Sequence, residues 1–228
     1  MDASECPPTF GMDPKQVVGV IAGGDRALRF PIESAEDSIE EGAKDMKQIG
    51  LCEKDVLVAI SASGYAPYCQ GALEYARSVG AFTGAVVCVA DSRLSKYADV
   101  TMASVVGAEI LAGSTRLKAG TATKMTLNML TTLSQVGCGR IYQNLMVEMR
   151  PKNTKLRDRA IRIVMTATGC DAEEARNALA ETILPEDGVE RLKPAIVMVL
   201  SKCSCEKADE ALAKTCGSVR KAVELLTK

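Results

Sequence analysis

The sequence predicts an α/β fold, a doubly wound, mostly parallel sheet over residues 1–150, followed by a small all-helical domain over 151–228. Two patterns carry that expectation. Four short runs rich in Val and Ile, each closed by a small or polar turn, alternate with helical stretches, as buried parallel strands and their crossover helices do. After Pro151 the strand signal stops and apolar residues recur only at helical spacing.

Taken in order, the first strand is expected over 16–22. A charged helix with periodic apolar positions follows over 35–49, where Ser34 can cap and Asp37 can complete a capping box. The second strand is placed at 55–61, and its helix, 67–79, opens on Pro67, a residue suited to a first helical turn. The third and fourth strands are placed at 84–90 and 100–106. A long helix then covers about 117–136, broken by Gly137 and Gly139. Beyond Pro151, Leu156, Ala160, Ile163, Val164 and Ala167 share a helical face; Gly169 ends that helix and Asp171 caps the next. Further helices are expected over 189–200, 206–214 and 218–226. In a sheet of this kind ligands bind beyond the carboxyl ends of the strands.

Composition removes several functional classes. The 28 Lys and Arg against 29 Asp and Glu leave no basic excess to neutralise a nucleic-acid backbone. The longest apolar runs, 84–90 and 195–200, fall far short of the ~20 residues of a membrane span. The first residues carry neither the positive region nor the apolar run of a signal peptide, so a cytoplasmic protein is expected. Nine cysteines, an odd number without a Cys-x-x-Cys pair, read as reduced thiols, and no metal is expected. With no His in the chain, Ser/His and Cys/His nucleophilic pairs are excluded. Acid and base work must fall to carboxylates, Lys, Tyr or Cys.

Three segments carry candidate chemistry. Ser61-Ala62-Ser63-Gly64 lies directly after a strand and just before a helix, where two hydroxyls, a flexible Gly and exposed N–H groups make an anion cradle; a plain turn with serine capping is the alternative. Residues 106–121 gather Ser114, Thr115, Arg116 and Lys118 with several glycines at the entrance of the long helix, suited either to an anion or to a solvated helix start. The third is a pair of carboxylates. Glu36 falls in the expected first turn of a helix, where acidic residues are commonly structural. Glu5, in Ala3-Ser4-Glu5-Cys6-Pro7-Pro8, has a rigid, comparatively apolar setting in which burial would raise its pKa and let it hold a proton at neutral pH.

The ordered set Asp2-Ala3-Ser4-Glu5-Cys6-Pro7-Pro8-Thr9, Ile21-Ala22-Gly23-Gly24, residues 33–38, residues 61–68 and Gly113-Ser114-Thr115-Arg116-Leu117-Lys118-Ala119-Gly120-Thr121-Ala122 resembles the N-acetylmuramic acid 6-phosphate etherase family, built on a sugar isomerase type domain. The resemblance continues through Leu127-Asn128-Met129, Asn144-Leu145-Met146-Val147 and Ala167-Thr168-Gly169-Cys170, covering essentially the whole chain. It implies cleavage of the ether joining D-lactate to the sugar, giving N-acetylglucosamine 6-phosphate and D-lactate in cell-wall recycling, with no metal or organic cofactor. By matching motifs it implies that Glu36 is the base at C2 and Glu5 the acid that protonates departing lactate. Ser61, Ser63 and Gly64 match the sugar-phosphate loop, and Ser114, Thr115 and Lys118 the second substrate-binding segment. A homodimer is implied, and the tail resembles small ubiquitin-associated-type helical modules.

The family's members carry about 80 further residues ahead of Met1, including an internal strand and a Gly-Thr-Ser-Gly-Arg phosphate loop, so the sheet is expected to be incomplete at that end. Two further readings stand beside the lyase: a non-catalytic sugar-phosphate-binding regulator, or an inactive fragment of the etherase. An isomerase would also remove a C2 proton. A regulator needs the serines but no proton donor at Glu5.

Overall fold

The computed structural model describes residues 1–186 and 188–228. The elements run α1 (Asp2–Phe10), α2 (Ile39–Gln48), β1 (Val56–Ile60), α3 (Pro67–Ser78), β2 (Phe82–Val87), β3 (Val100–Ala103), α4 (Lys118–Gly137), α5 (Thr154–Thr168), α6 (Ala172–Ala180), α7 (Leu192–Ser201), α8 (Cys205–Lys214) and α9 (Val219–Leu226). They form two units: residues 19–129, and residues 1–18 together with 130–228.

In the first unit the strands are parallel in the order β1-β2-β3, with Val56 opposite Phe82 and Gly84 opposite Val100. Alternation along the strands sends Ala59, Ala85 and Val87 to one face, where they pack with Leu73 of α3 and with Leu94. Cys88, one step beyond β2 and on the opposite face from Val87, meets α4: its thiol lies 3.6 Å from both the Ala119 carbonyl and the Thr123 hydroxyl. Helices on both faces of a parallel sheet make the expected α/β architecture.

Three expectations are corrected. Residues 16–22 form no strand. A strand exists only through its ladder, and the bonds of β1 go to β2 alone; Val18 and Val20 are left exposed. The helix placed at 35–49 begins at Ile39. Ser34 takes φ 60°, leaving residues 35–37 in a turn, and Ser38 is the cap, its hydroxyl accepting from the Glu41 amide. Glu36 therefore precedes the helix rather than lying in its first turn. The strand placed at 84–90 runs instead from Phe82 to Val87, because Phe82 and Thr83 pair with Val56 and Leu57.

The second unit is built from helices. Ala160, Val164, Ala175, Ala195, Ala208 and Ala222 are almost fully buried, and so many alanines let the helix backbones approach closely. Ile196 and Val197 of α7 are completely buried among the surrounding helices, and Lys193 of the same helix pairs with Glu148. Asp171 caps α6 through the Glu173 and Glu174 amides, and Gly169 ends α5 in the left-handed region. Arg191 grips Asp209 with two bonds of 2.7 and 2.9 Å and donates to the Thr182 carbonyl. Helix α1 belongs here: Cys6 and Phe10 pack with Met12, Val17 and Ile141, and Arg140 donates to the Phe10 carbonyl at 2.9 Å. At the end of α1, Gly11 lies so close to the Glu148 carbonyl that a Cβ would come within 2.8 Å of it.

Candidate active site

The first unit gathers its candidate residues at the carboxyl ends of the three strands. Ser61 follows β1, tied by its amide to the Val86 carbonyl, and its hydroxyl lies 3.3 Å from that of Ser63. Gly64 has φ 65°, and a Cβ there would meet the Ser92 hydroxyl at 2.4 Å, so only glycine fits the turn. Its carbonyl accepts from the Ser92 hydroxyl and the Leu94 amide, both at 3.1 Å. The loop is thus strapped to the segment after β2 and is not a free turn.

Cys88 joins this loop to the second one. Its amide donates to the Ala62 carbonyl at 2.9 Å, while its thiol meets the Ala119 carbonyl at the start of α4. Ser114 and Thr115 lie just ahead of α4, and Lys118 is its first residue. The helix entrance already holds an anion of its own. Glu109 accepts from the Lys118 amide at 3.1 Å and the Ala119 amide at 2.9 Å, which holds its carboxyl below the usual range. Lys118 turns its ammonium onto the Val106 carbonyl at 2.8 Å. The Lys118 and Ala119 amides are therefore already occupied.

Glu36 is brought to the first loop through α3. Its carbonyl accepts from the Tyr68 amide at 2.9 Å, near the start of the helix that the loop feeds. Its carboxylate acts on Cys69: burial pushes that thiol up, and the negative charge of Glu36 adds to the rise. The Cys69 thiol in turn donates to the Ile60 carbonyl, one residue before Ser61. Glu36 and the Ser61–Gly64 loop therefore share one corner of the unit.

Close backbone packing fixes that corner. A Cβ on Gly42 would lie 2.0 Å from the Tyr68 carbonyl, and one on Gly71 would lie 1.9 Å from the Ile39 carbonyl, so α2 and α3 touch backbone to backbone. Tyr68 donates to Asp45 at 2.5 Å across the same contact. Burial, with the Asp45 hydrogen bond and charge added, raises the phenol far above its ordinary pKa and keeps it a donor.

Glu5 lies on α1 in the other unit and is exposed, so the burial expected around it is absent. Its helix nevertheless includes Pro7 and Pro8 and is anchored on one side by buried Cys6 and Phe10. Several residues that shape the site gave no sequence signal: Cys88, Ser92 and the paired Gly42 and Gly71; Glu109 lies within the 106–121 segment, but its capping of α4 acts across nine residues and matches no local pattern.

Hydroxyl-rich loops at the carboxyl ends of a parallel sheet, with helices on both faces, define the class as an α/β domain with a candidate anion-binding site, joined to a helical unit. Residues 4–77 match the family described as the glucokinase regulatory protein N-terminal SIS domain, and residues 143–193 match the C-terminal lid domain of glucokinase regulatory protein. Over most of its length the chain is similar to curated proteins named N-acetylmuramic acid 6-phosphate etherase. The protein from Actinobacillus pleuropneumoniae serotype 5b is 49% identical over 98% of this chain and 71% of its own length. Those of Alkaliphilus metalliredigens, 48% identical over 99% of this chain and 72% of its own length, and Klebsiella aerogenes, 47% identical over 98% and 72%, agree. The chain belongs to the N-acetylmuramic acid 6-phosphate etherase family.

Proposed function

We propose that the chain acts as a carbon-oxygen lyase on N-acetylmuramic acid 6-phosphate, releasing D-lactate and N-acetylglucosamine 6-phosphate in peptidoglycan recycling. The observation that carries the reading is the seating of Glu36 beside the Ser61–Gly64 loop, in a chain 49% identical to a named etherase. With the sugar ring open, the aldehyde acidifies the C2 hydrogen. Glu36 takes that proton, the C2–C3 double bond forms, and the C3–O bond breaks as Glu5 protonates the lactate oxygen. Water then adds at C3, leaving its hydroxyl there and returning a proton to C2, so one water is consumed overall. Ser61, Ser63 and Gly64 hold the phosphoester, and Ser114, Thr115 and Lys118 line the sugar side.

The division into a sugar-phosphate-binding domain over 1–150 and a helical domain over 151–228 is part of the same proposal, as are a cytoplasmic location and a homodimer without nucleic-acid partners. Among the described residues no helix is long and apolar enough to cross a membrane. Supporting a second copy, Met125, Met129, Leu133 and Val136 are about half exposed or more along one face of α4. The regulator reading draws on the names of the two matched domains. Retention of both Glu5 and Glu36 favours the lyase, since a sensor needs neither.

The test is incubation with N-acetylmuramic acid 6-phosphate in deuterated water, following D-lactate release and C2 hydrogen exchange. Glu36→Gln should lose both, whereas Glu5→Gln should keep exchange and lose lactate. The reverse pattern overturns the assignment of roles; binding without turnover in the parent chain favours the regulator.

A further inference from the structure

We propose that Arg93 is a further substrate-binding residue, whose guanidinium supplies the positive charge for the phosphoester seated on the Ser61–Gly64 loop. The inference rests on the reading of that loop as the phosphate site. The loop itself offers two hydroxyls and backbone but no cation. A phosphomonoester carries nearly two negative charges at neutral pH, and neutral donors alone leave most of that uncompensated. The start of α3 offers less than a usual helix N-terminus. Pro67 has no N–H, the Tyr68 amide is taken by Glu36, and Ala66 contributes no side-chain cap.

Arg93 stands where the missing charge is needed. Both of its neighbours bind the loop directly, the buried Ser92 through its hydroxyl and the buried Leu94 through its amide, each onto the Gly64 carbonyl. The backbone at residue 93 is therefore fixed against the cradle. Its exposed side chain lies over the ring of Tyr65, the residue after Gly64, with the guanidinium carbon 5.4 Å from the ring centroid. That geometry is a cation–π contact, which orients a long side chain without neutralising it. Among the described residues no carboxylate pairs with Arg93. A planar, permanently charged fork held at the rim of a hydroxyl loop suits bidentate recognition of phosphate oxygens.

The proposal predicts selectivity for the phosphate group. Calorimetric titration of the whole chain with N-acetylglucosamine 6-phosphate, and with unphosphorylated N-acetylglucosamine as comparison, reads it without requiring turnover. Arg93→Met should weaken binding of the phosphorylated sugar by about 10-fold or more and leave the unphosphorylated sugar unaffected. Arg93→Lys should recover part of the loss, and Tyr65→Leu, which frees the guanidinium, should give an intermediate effect. Inorganic phosphate should compete less well against the Arg93→Met chain. Unchanged binding of the phosphorylated sugar, or equal loss for both sugars, overturns the role of Arg93. Ser61→Ala and Ser63→Ala separate this from the underlying reading. If they weaken phosphate binding while Arg93→Met does not, the loop stands and Arg93 falls; if none of them matters, the loop reading itself fails.

Discussion

Replacing Gly71 with Ala probes the contact on which the placement of Glu36 depends. The added Cβ would come to 1.9 Å from the Ile39 carbonyl, and because the obstacle is backbone it cannot rotate away. To reach ordinary contact α2 and α3 must separate by about 1.5 Å, an overpacking that costs about 1–3 kcal/mol, with a backbone clash at the upper end. At about 3 kcal/mol the folded-to-unfolded ratio falls roughly 100-fold. The same separation stretches the Tyr68–Asp45 bond and the Tyr68 amide's bond to Glu36, the proposed base, and a displacement of about 1 Å at such a group can cost about 100-fold in rate. Urea unfolding followed by far-UV circular dichroism reads the first effect as a lower midpoint with unchanged slope, and C2 hydrogen exchange reads the second. Gly137→Ala is the control: nothing lies within 4 Å of its Cβ position at the end of α4, and it should leave stability unchanged or raise it by about 0.5–1 kcal/mol. A Gly71→Ala chain with the parent's midpoint and exchange rate would refute the close approach.

Tyr68→Phe keeps the ring and removes the donor to Asp45; it should cost about 1–3 kcal/mol in urea unfolding, and Asp45→Asn, which preserves an acceptor, should cost less. Ile196→Ala empties space at the centre of the helical unit and should lower stability by about 2–5 kcal/mol, read by the same assay. Acid stability should reflect Asp99 and Glu109, whose carboxyls are held low, Asp99 by the Thr83 hydroxyl and amide and Glu109 by the Ala119 and Lys118 amides. Since folding depresses both values, their contribution is full above the unfolded value near ~4 and is lost as pH falls through the folded values. Asp99→Asn should flatten the loss of stability in that acid range, and a slope equal to the parent's would count against it.

The order of elements was legible because most of them are written locally. Pro67 opens α3, Gly169 closes α5 and Asp171 caps α6, each acting on amides or dihedrals within a few residues. The start of α2 is an exception, expected at residue 35 and found at Ile39. Ser34 with Asp37 is the expected cap, but Ser38 with Glu41 is the closer match to a capping box and is the one the structure uses. Contacts outside the segment hold the same arrangement: the Tyr68 amide bonded to Glu36 and the backbone approach through Gly42 and Gly71, neither of which has a spacing to read. The site divided in the same way. Ser61, Ser63 and Gly64 announced themselves after a strand, whereas the setting of Glu5 was misjudged because flanking prolines say nothing of which helix face is covered.

The sequence by itself determined that this chain alternates strands and helices and then turns wholly helical, and it offered the hydroxyl loops, Glu5 and Glu36 as candidates. Hydrophobic period and capping act over a few residues and need no distant partner. Only the tertiary structure decided that residues 16–22 make no strand, that Glu36 precedes its helix and meets α3, and that Glu109 occupies the entrance of α4. A strand, a backbone-to-backbone approach and a long-range cap each need a partner far away in the chain, and apolar period does not encode where that partner lies.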